Sequence, residues 1–166
     1  MKLTFAAIPL LVVIALAGCA TAAPADSSSP TAAESAAPCE VSIVVDFGVL
    51  DAPQIEECGA AGAAADAVEA AGITTEGTVD FGDQVVCRVN DRPAADETVT
   101  LEGQPEFVEA CQSMPSASAY WALWVKASPD AEWEYAQEGL GTLQLADGES
   151  IGLVYTAGTE STPPSS

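Results

Sequence analysis

Five cysteines constrain this chain more than any other feature. Cys39, Cys58, Cys87 and Cys111 are spread through its body, and Cys19 closes an uncharged run near its beginning. That run extends from Phe5 to Ala17, follows Lys2, and is rich in Leu, Ile, Val and Ala. Its length suits the apolar core of an export signal and is too short for a stable bilayer-spanning helix. Export delivers the remaining cysteines to an oxidising compartment, where four of them read as two disulfides. Three pairings can be drawn, and sequence alone does not choose among them. The shortness of both loops favours Cys39–Cys58 with Cys87–Cys111. A metal site built on the same thiolates is disfavoured, because no C-x-x-C knuckle occurs and the chain has no His.

The apolar run ends in Leu16-Ala17-Gly18-Cys19. This tetrapeptide resembles the lipobox of bacterial lipoproteins. The resemblance implies a diacylglycerol on the Cys19 thiol, cleavage just before it, and several acyl chains that together hold a membrane stably. The expected organisation is a signal peptide over residues 1–18, a lipid-anchored linker over 19–38, a folded domain over 39–157 and a disordered tail over 158–166. The linker is Ala, Pro, Ser and Thr with a few acids, so it cannot bury enough apolar surface to order itself. The expected location is the cell membrane, facing out of the cytoplasm.

Charge narrows the partners. Beyond Cys19 stand all 25 acidic residues and only Arg88, Arg92 and Lys126 as cations. Nucleic acid is excluded as a partner, since phosphate binding needs basic groups. No stretch has the dense D-x-D-x-D-G spacing of a calcium loop, and no metal or other cofactor is expected.

Local patterns place the elements. Val41-Ser42-Ile43-Val44-Val45-Asp46-Phe47 is a β-branched strand ending at Gly48. Residues 49–57 read as a loop through Pro53. The Ala-rich stretch from Ala60 to Ala71 reads as a helix with Gly72 as its C-cap, and Ala64, Ala67, Val68 and Ala71 share one face. Its small side chains suggest close packing on a sheet. Val85–Val89 is a second strand, and Asn90-Asp91-Arg92-Pro93 a turn. Residues 94–118 read mostly as loop, with a short helical turn from Phe107 towards Cys111. Tyr120–Val125 is an aromatic strand whose alternation separates Tyr120, Ala122 and Trp124 from Trp121, Leu123 and Val125. Glu132–Tyr135 returns, Thr142–Leu145 alternates, and Ile151–Tyr155 closes the domain. One helix laid on a mixed sheet, a small α+β domain, is the expected architecture.

Catalytic signatures are missing: no His for a triad, no G-x-S-x-G, no phosphate-cradling glycine loop. A non-enzymatic protein is expected. The aromatic cluster is the best binding feature. Tyr120, Trp121, Trp124, Trp133 and Tyr135 offer more large apolar surface than one core face uses, and the excess is a candidate contact surface. Arg92, in its turn, could attract an anionic group, although the chain's own acids compete for it.

Several of these pieces together resemble the transcobalamin-like C-terminal domain, found in exported proteins of Gram-positive bacteria. They are Val44-Val45-Asp46-Phe47-Gly48, Glu69-Ala70-Ala71-Gly72, Val85–Pro93, Ala119-Tyr120-Trp121-Ala122-Leu123-Trp124, Trp133-Glu134-Tyr135, Gly139 and Asp147-Gly148-Glu149. The resemblance implies a β-grasp-like fold that binds a ligand. The chain departs from it at Val125-Lys126-Ala127-Ser128, where many relatives carry Val-Asn-Gly, and at Glu149, where many carry Asp; a corrin ligand is not carried over. The expected function is a membrane-anchored binding module outside the cytoplasm, for a small molecule, glycan or envelope protein. The alternatives are an envelope structural protein with no small ligand, or a protease inhibitor presenting the loop 93–118 around Met114-Pro115.

Overall fold

The computed structural model describes residues 39–158 and 160–165. The signal run, Cys19 and the linker through residue 38 lie outside the described residues. Among the described residues no helix is long and apolar enough to cross a membrane.

Five strands make the main sheet: β1 (Val41–Asp46), β2 (Ile55–Gly59), β8 (Ala119–Lys126), β9 (Glu134–Tyr135) and β11 (Ser150–Ala157). Their order is β2-β1-β11-β8-β9. β1 runs parallel to β11, and the other neighbours are antiparallel. Register explains why β-branched and aromatic residues sit where they do. Ile43, Ile151 and Val125 form one row across the core face; Val45, Leu153 and Leu123 form the next; Tyr155 and Trp121 the third. All of these are buried except Val125, which packs against the rest.

The helix α1 (Ala64–Ala70) joins that core through Ala64, Ala67 and Val68. Small residues are required here. A Cβ placed on Gly59 of β2 would lie 2.9 Å from Ile43 Cδ1 and 3.1 Å from Ala67 Cβ. The expected C-cap is present. Gly72 has φ +79°, its N–H donates to Glu69 C=O at 2.9 Å, and the Ile73 N–H donates to Val68 C=O at 3.1 Å. These two bonds close the helix in a Schellman motif. The N-terminus differs from expectation: Gly62, at φ +133°, and Ala63 form the short strand β3 (Gly62–Ala63) against β10 (Gln144–Leu145). The helix therefore begins at Ala64, whose N–H is taken by the Leu143 carbonyl.

Two other expectations are corrected. Residues 55–57 are strand rather than loop, because β2 is held by backbone pairing to β1 and by the Cys39–Cys58 bridge. Its Glu56 and Glu57 are the charges usual on an edge strand, and they hide the pattern. Phe107 and Val108 form β7 (Phe107–Val108), paired with β6 (Thr98–Val99), instead of a helical turn.

β4 (Thr75–Thr78) and β5 (Gly82–Val89) make a bulged hairpin over the core. The Asn90-Asp91 turn follows, with both residues at positive φ and Val89 and Arg92 exchanging two backbone bonds of 3.0 Å. That is the left-handed two-residue geometry Asn and Asp tolerate best. Both expected disulfides are formed. Cys39–Cys58 ties the start of β1 to β2 (Cα–Cα 5.1 Å), and Cys87–Cys111 ties β5 to the segment after β7 (5.6 Å). Loops of this size make each bridge worth about 3 kcal/mol in chain entropy.

The second face of the sheet carries the row Val44, Gly152 and Trp124. The tail comes back onto it: Pro164 is buried against Gly152. Thr156 Oγ1 meets Ser161 Oγ at 2.9 Å, and the Gln54 side chain bonds Ser165.

Candidate functional site

The aromatic strand β8 distributes its residues by the alternation expected of it, and the two faces meet different fates. Trp121 is a core residue. Its ring stands edge-on to Phe47 (5.4 Å, 85°) and to Tyr155 (5.4 Å, 68°). Its Nε1–H donates to the Arg92 carbonyl at 3.1 Å. Tyr155, deep in the same cluster, has its phenol pushed up to about 12 by burial and by the carboxylates of Glu109 and Glu97.

Arg92 is committed within the protein. Its Nε and Nη2 grip the two Glu97 carboxylate oxygens at 2.9 and 2.7 Å, and Nη2 also donates to Leu50 C=O. The guanidinium holds the Glu97 carboxyl below its ordinary value, against the opposing effect of burial. Arg88 is committed too. It spans three segments, with Nε to Pro93 C=O at 2.8 Å, Nη1 to Glu76 at 2.7 Å and Nη2 to Glu109 C=O at 2.7 Å.

On the other face, Trp124 packs edge-on against Tyr135 across the β8–β9 ladder, centroids 5.2 Å apart. The indole Nε1 of Trp124 is buried without a hydrogen-bond partner among the described residues. Tyr135 has its phenol pushed up to about 12, first by burial and then by the neighbouring Tyr120 phenol, so it presents a hydroxyl and no charge at neutral pH. Lys126 Nζ lies 5.8 Å from the Trp133 ring centre.

Four of the candidate residues line one or other of two crevices, and Trp124 and Arg92 line neither. The first, of about 590 Å³, opens at the outer edge of β8 and is lined by Tyr120, Trp121, Leu123 and Tyr135. Two crossing segments build its other walls. After β9 the chain leaves β8 at Ala136 and crosses β5. Gly139 passes so close to the Gln84 backbone that a Cβ has no room, and the Gly141 N–H bonds Asp83 C=O at 3.1 Å. The opposite wall is Met114-Pro115-Ser116-Ala117, held by the Asp80 N–H to Gln112 C=O bond and by the Cys87–Cys111 bridge. Met114 is 64% exposed there. Apolar surface predominates in this crevice, with Gln84, Gln137 and Glu138 at its margin. The second crevice, of about 570 Å³, takes Trp133 and Lys126 together with Glu56, Glu57 and Glu149, and is more polar.

Sequence reasoning thus named three side chains of the first crevice, Tyr120, Trp121 and Tyr135, and missed Gln84, Val85, Leu123 and Gln137 as lining residues. Met114-Pro115, the centre of the loop 93–118 that the protease-inhibitor alternative would present, forms a wall of this crevice. Cys87, Glu109 and Cys111 converge within 4.8 Å. The two sulfurs are bonded to each other, and Glu109 Oε1 accepts the Cys111 N–H at 2.8 Å, so this trio offers no thiolate to a metal.

Comparison with family models, with curated proteins and with solved structures finds no significant match to this chain.

Proposed function

We propose that this protein is a non-enzymatic binding module, anchored to the outer side of a membrane through lipid on Cys19, that receives its ligand in the crevice at the β8 edge. The observation that carries the reading is the crevice itself. It has the size usual for small-molecule and peptide sites, its walls are mainly apolar and aromatic, and a few polar groups stand at its rim. The anchor rests on the signal run and on Leu16-Ala17-Gly18-Cys19; the two disulfides suit a domain working outside the cytoplasm. The sheet order β2-β1-β11-β8-β9, with a parallel central pair and α1 on one face, is consistent with a β-grasp-like fold.

Trp121 lines the crevice, so intrinsic Trp fluorescence reports occupancy. Titration with extracted envelope components and with corrinoids is expected to change emission for at least one class, and the change should be lost in Ala117→Phe, which adds a bulky, weakly emitting ring at a lining residue. No change with any component at high concentration defeats the reading. For the anchor, labelled palmitate should enter the native protein and not Cys19→Ser. No label in the native protein, or equal label in both, defeats lipid attachment at Cys19.

A further inference from the structure

Strand β8 is fully paired on one side only. Its inner edge runs against β11 from Ala119 to Lys126. On its outer edge β9 pairs only Trp124 and Val125, and the Ala136 N–H then reaches Leu123 C=O at 2.9 Å before the chain turns away. That last bond fixes the direction of the backbone groups. In an antiparallel ladder both groups of a residue point to the same neighbour, and successive residues alternate. Leu123 points away from β11, so Trp121 and Ala119 do as well. The Ala119 N–H is taken by Ser116 C=O at 3.1 Å. The N–H and C=O of Trp121, the N–H of Leu123 and the C=O of Ala119 have no protein partner among the described residues.

Those of Trp121 and Leu123 belong to residues that line the apolar crevice. A row of unpaired donors and acceptors at strand spacing is a template for a further strand, and a backbone in extended conformation meets all of it at once. The walls leave room for apolar side chains against Tyr120, Tyr135 and Met114. Charge selects further. The domain is strongly acidic, and two of its three cations are bound to Glu76 and Glu97. An acidic segment is repelled, and basic flanks are attracted.

From this edge we infer that the ligand of the crevice is an extended, apolar peptide segment with basic flanks, which adds to β8 as a short strand in the place β9 vacates. The inference rests on the binding-module reading and names its ligand class.

The test uses the mature chain in detergent and linear random peptides displayed on phage. Selected peptides are synthesised and studied by amide hydrogen exchange. In the free protein Trp121 and Leu123 should exchange faster than Tyr120, Ala122 and Trp124, which are bonded to β11. Bound peptide should slow Trp121 and Leu123. N-methylation walked along the peptide should weaken binding about tenfold or more at alternate positions of the bound stretch, and Ala117→Phe should abolish binding with the urea unfolding midpoint unchanged. Peptides that bind without protecting Trp121 and Leu123, or that tolerate N-methylation without alternation, overturn the inference. If no peptide binds but apolar fragments shift the Tyr120 and Trp121 resonances, the peptide class is refuted and the binding-module reading stands. If neither binds, both fall.

Discussion

Replacing Arg88 separates two explanations of why the only 8% exposed arginine in β5 is there. One is the ion pair with Glu76, the other its bonds to backbone carbonyls. Glu76 has a 54% exposed side chain, so its half of the pair is well solvated and the Coulombic gain is about 0–1 kcal/mol. Pro93 is buried, and its carbonyl accepts from Arg88 Nε at 2.8 Å. Removing that donor leaves a buried acceptor unmet, at a cost of about 1–3 kcal/mol. The Glu109 carbonyl, on a half-buried residue, adds a smaller amount. Arg88→Met keeps the apolar stem and removes every donor, so a loss of about 2–4 kcal/mol is expected. Glu76→Gln should cost under about 1 kcal/mol. Urea unfolding followed by tryptophan emission, with disulfides intact, gives both numbers. If Glu76→Gln costs as much as Arg88→Met, or if high salt erases the Arg88→Met deficit, the carbonyl argument is wrong.

Further outcomes follow from single contacts. Gly59→Ala forces a methyl against Ala67 Cβ and should cost about 1–3 kcal/mol by overpacking, read as a lower urea midpoint; an unchanged midpoint shows that α1 can move off β2 freely. The folded-state pKa of Glu97 lies below its ordinary 4.5, chiefly through its bond from Arg92. Its contribution to stability is therefore complete above 4.5 and lost as pH falls through the folded value, so the deficit of Glu97→Gln should be largest near neutrality and shrink in acid. A deficit that grows in acid refutes the pairing. Pro164→Ser removes the ring seated at Gly152 and should raise hydrogen exchange at the second face without shifting the core midpoint by more than about 1 kcal/mol; equal exchange in both proteins shows that the tail covers nothing.

Much of the fold could be read from local chemistry. Gly72 ends the helix because only a residue free of a Cβ sits easily at that φ, and Asn90-Asp91 turn the chain for a related reason. The alternation of β8 separated Trp121 from Tyr120 correctly. It could not say which of the two faces is core, because both carry aromatics; that is decided by Phe47 and Tyr155, which arrive from β1's end and β11. β2 escaped notice because Glu56 and Glu57 break its alternation, and its pairing lies in backbone bonds that side chains do not advertise. β3 and β10 are too short to leave a pattern. The crevice has no local signature either. Its walls are brought together by the crossing at Gly139 and Gln84 and by the Cys87–Cys111 bridge, and each joins residues far apart in the chain.

The residues before Cys39 enter the domain at the foot of β1, and any pull transmitted through them arrives there. β1 is gripped by five register pairs with parallel β11 and five with β2. A tug along its axis loads those ladders in shear, all rungs together, instead of unzipping them one by one. The Cys39–Cys58 bond spreads the load further, since β1 and β2 leave only as a covalently joined pair. Rupture under force is then governed by the β1–β11 seam and its unfolding rate, not by equilibrium stability. Reduction of that one bond leaves the sheet order unchanged but removes the second point of attachment, turning a two-strand handle into a single-strand one.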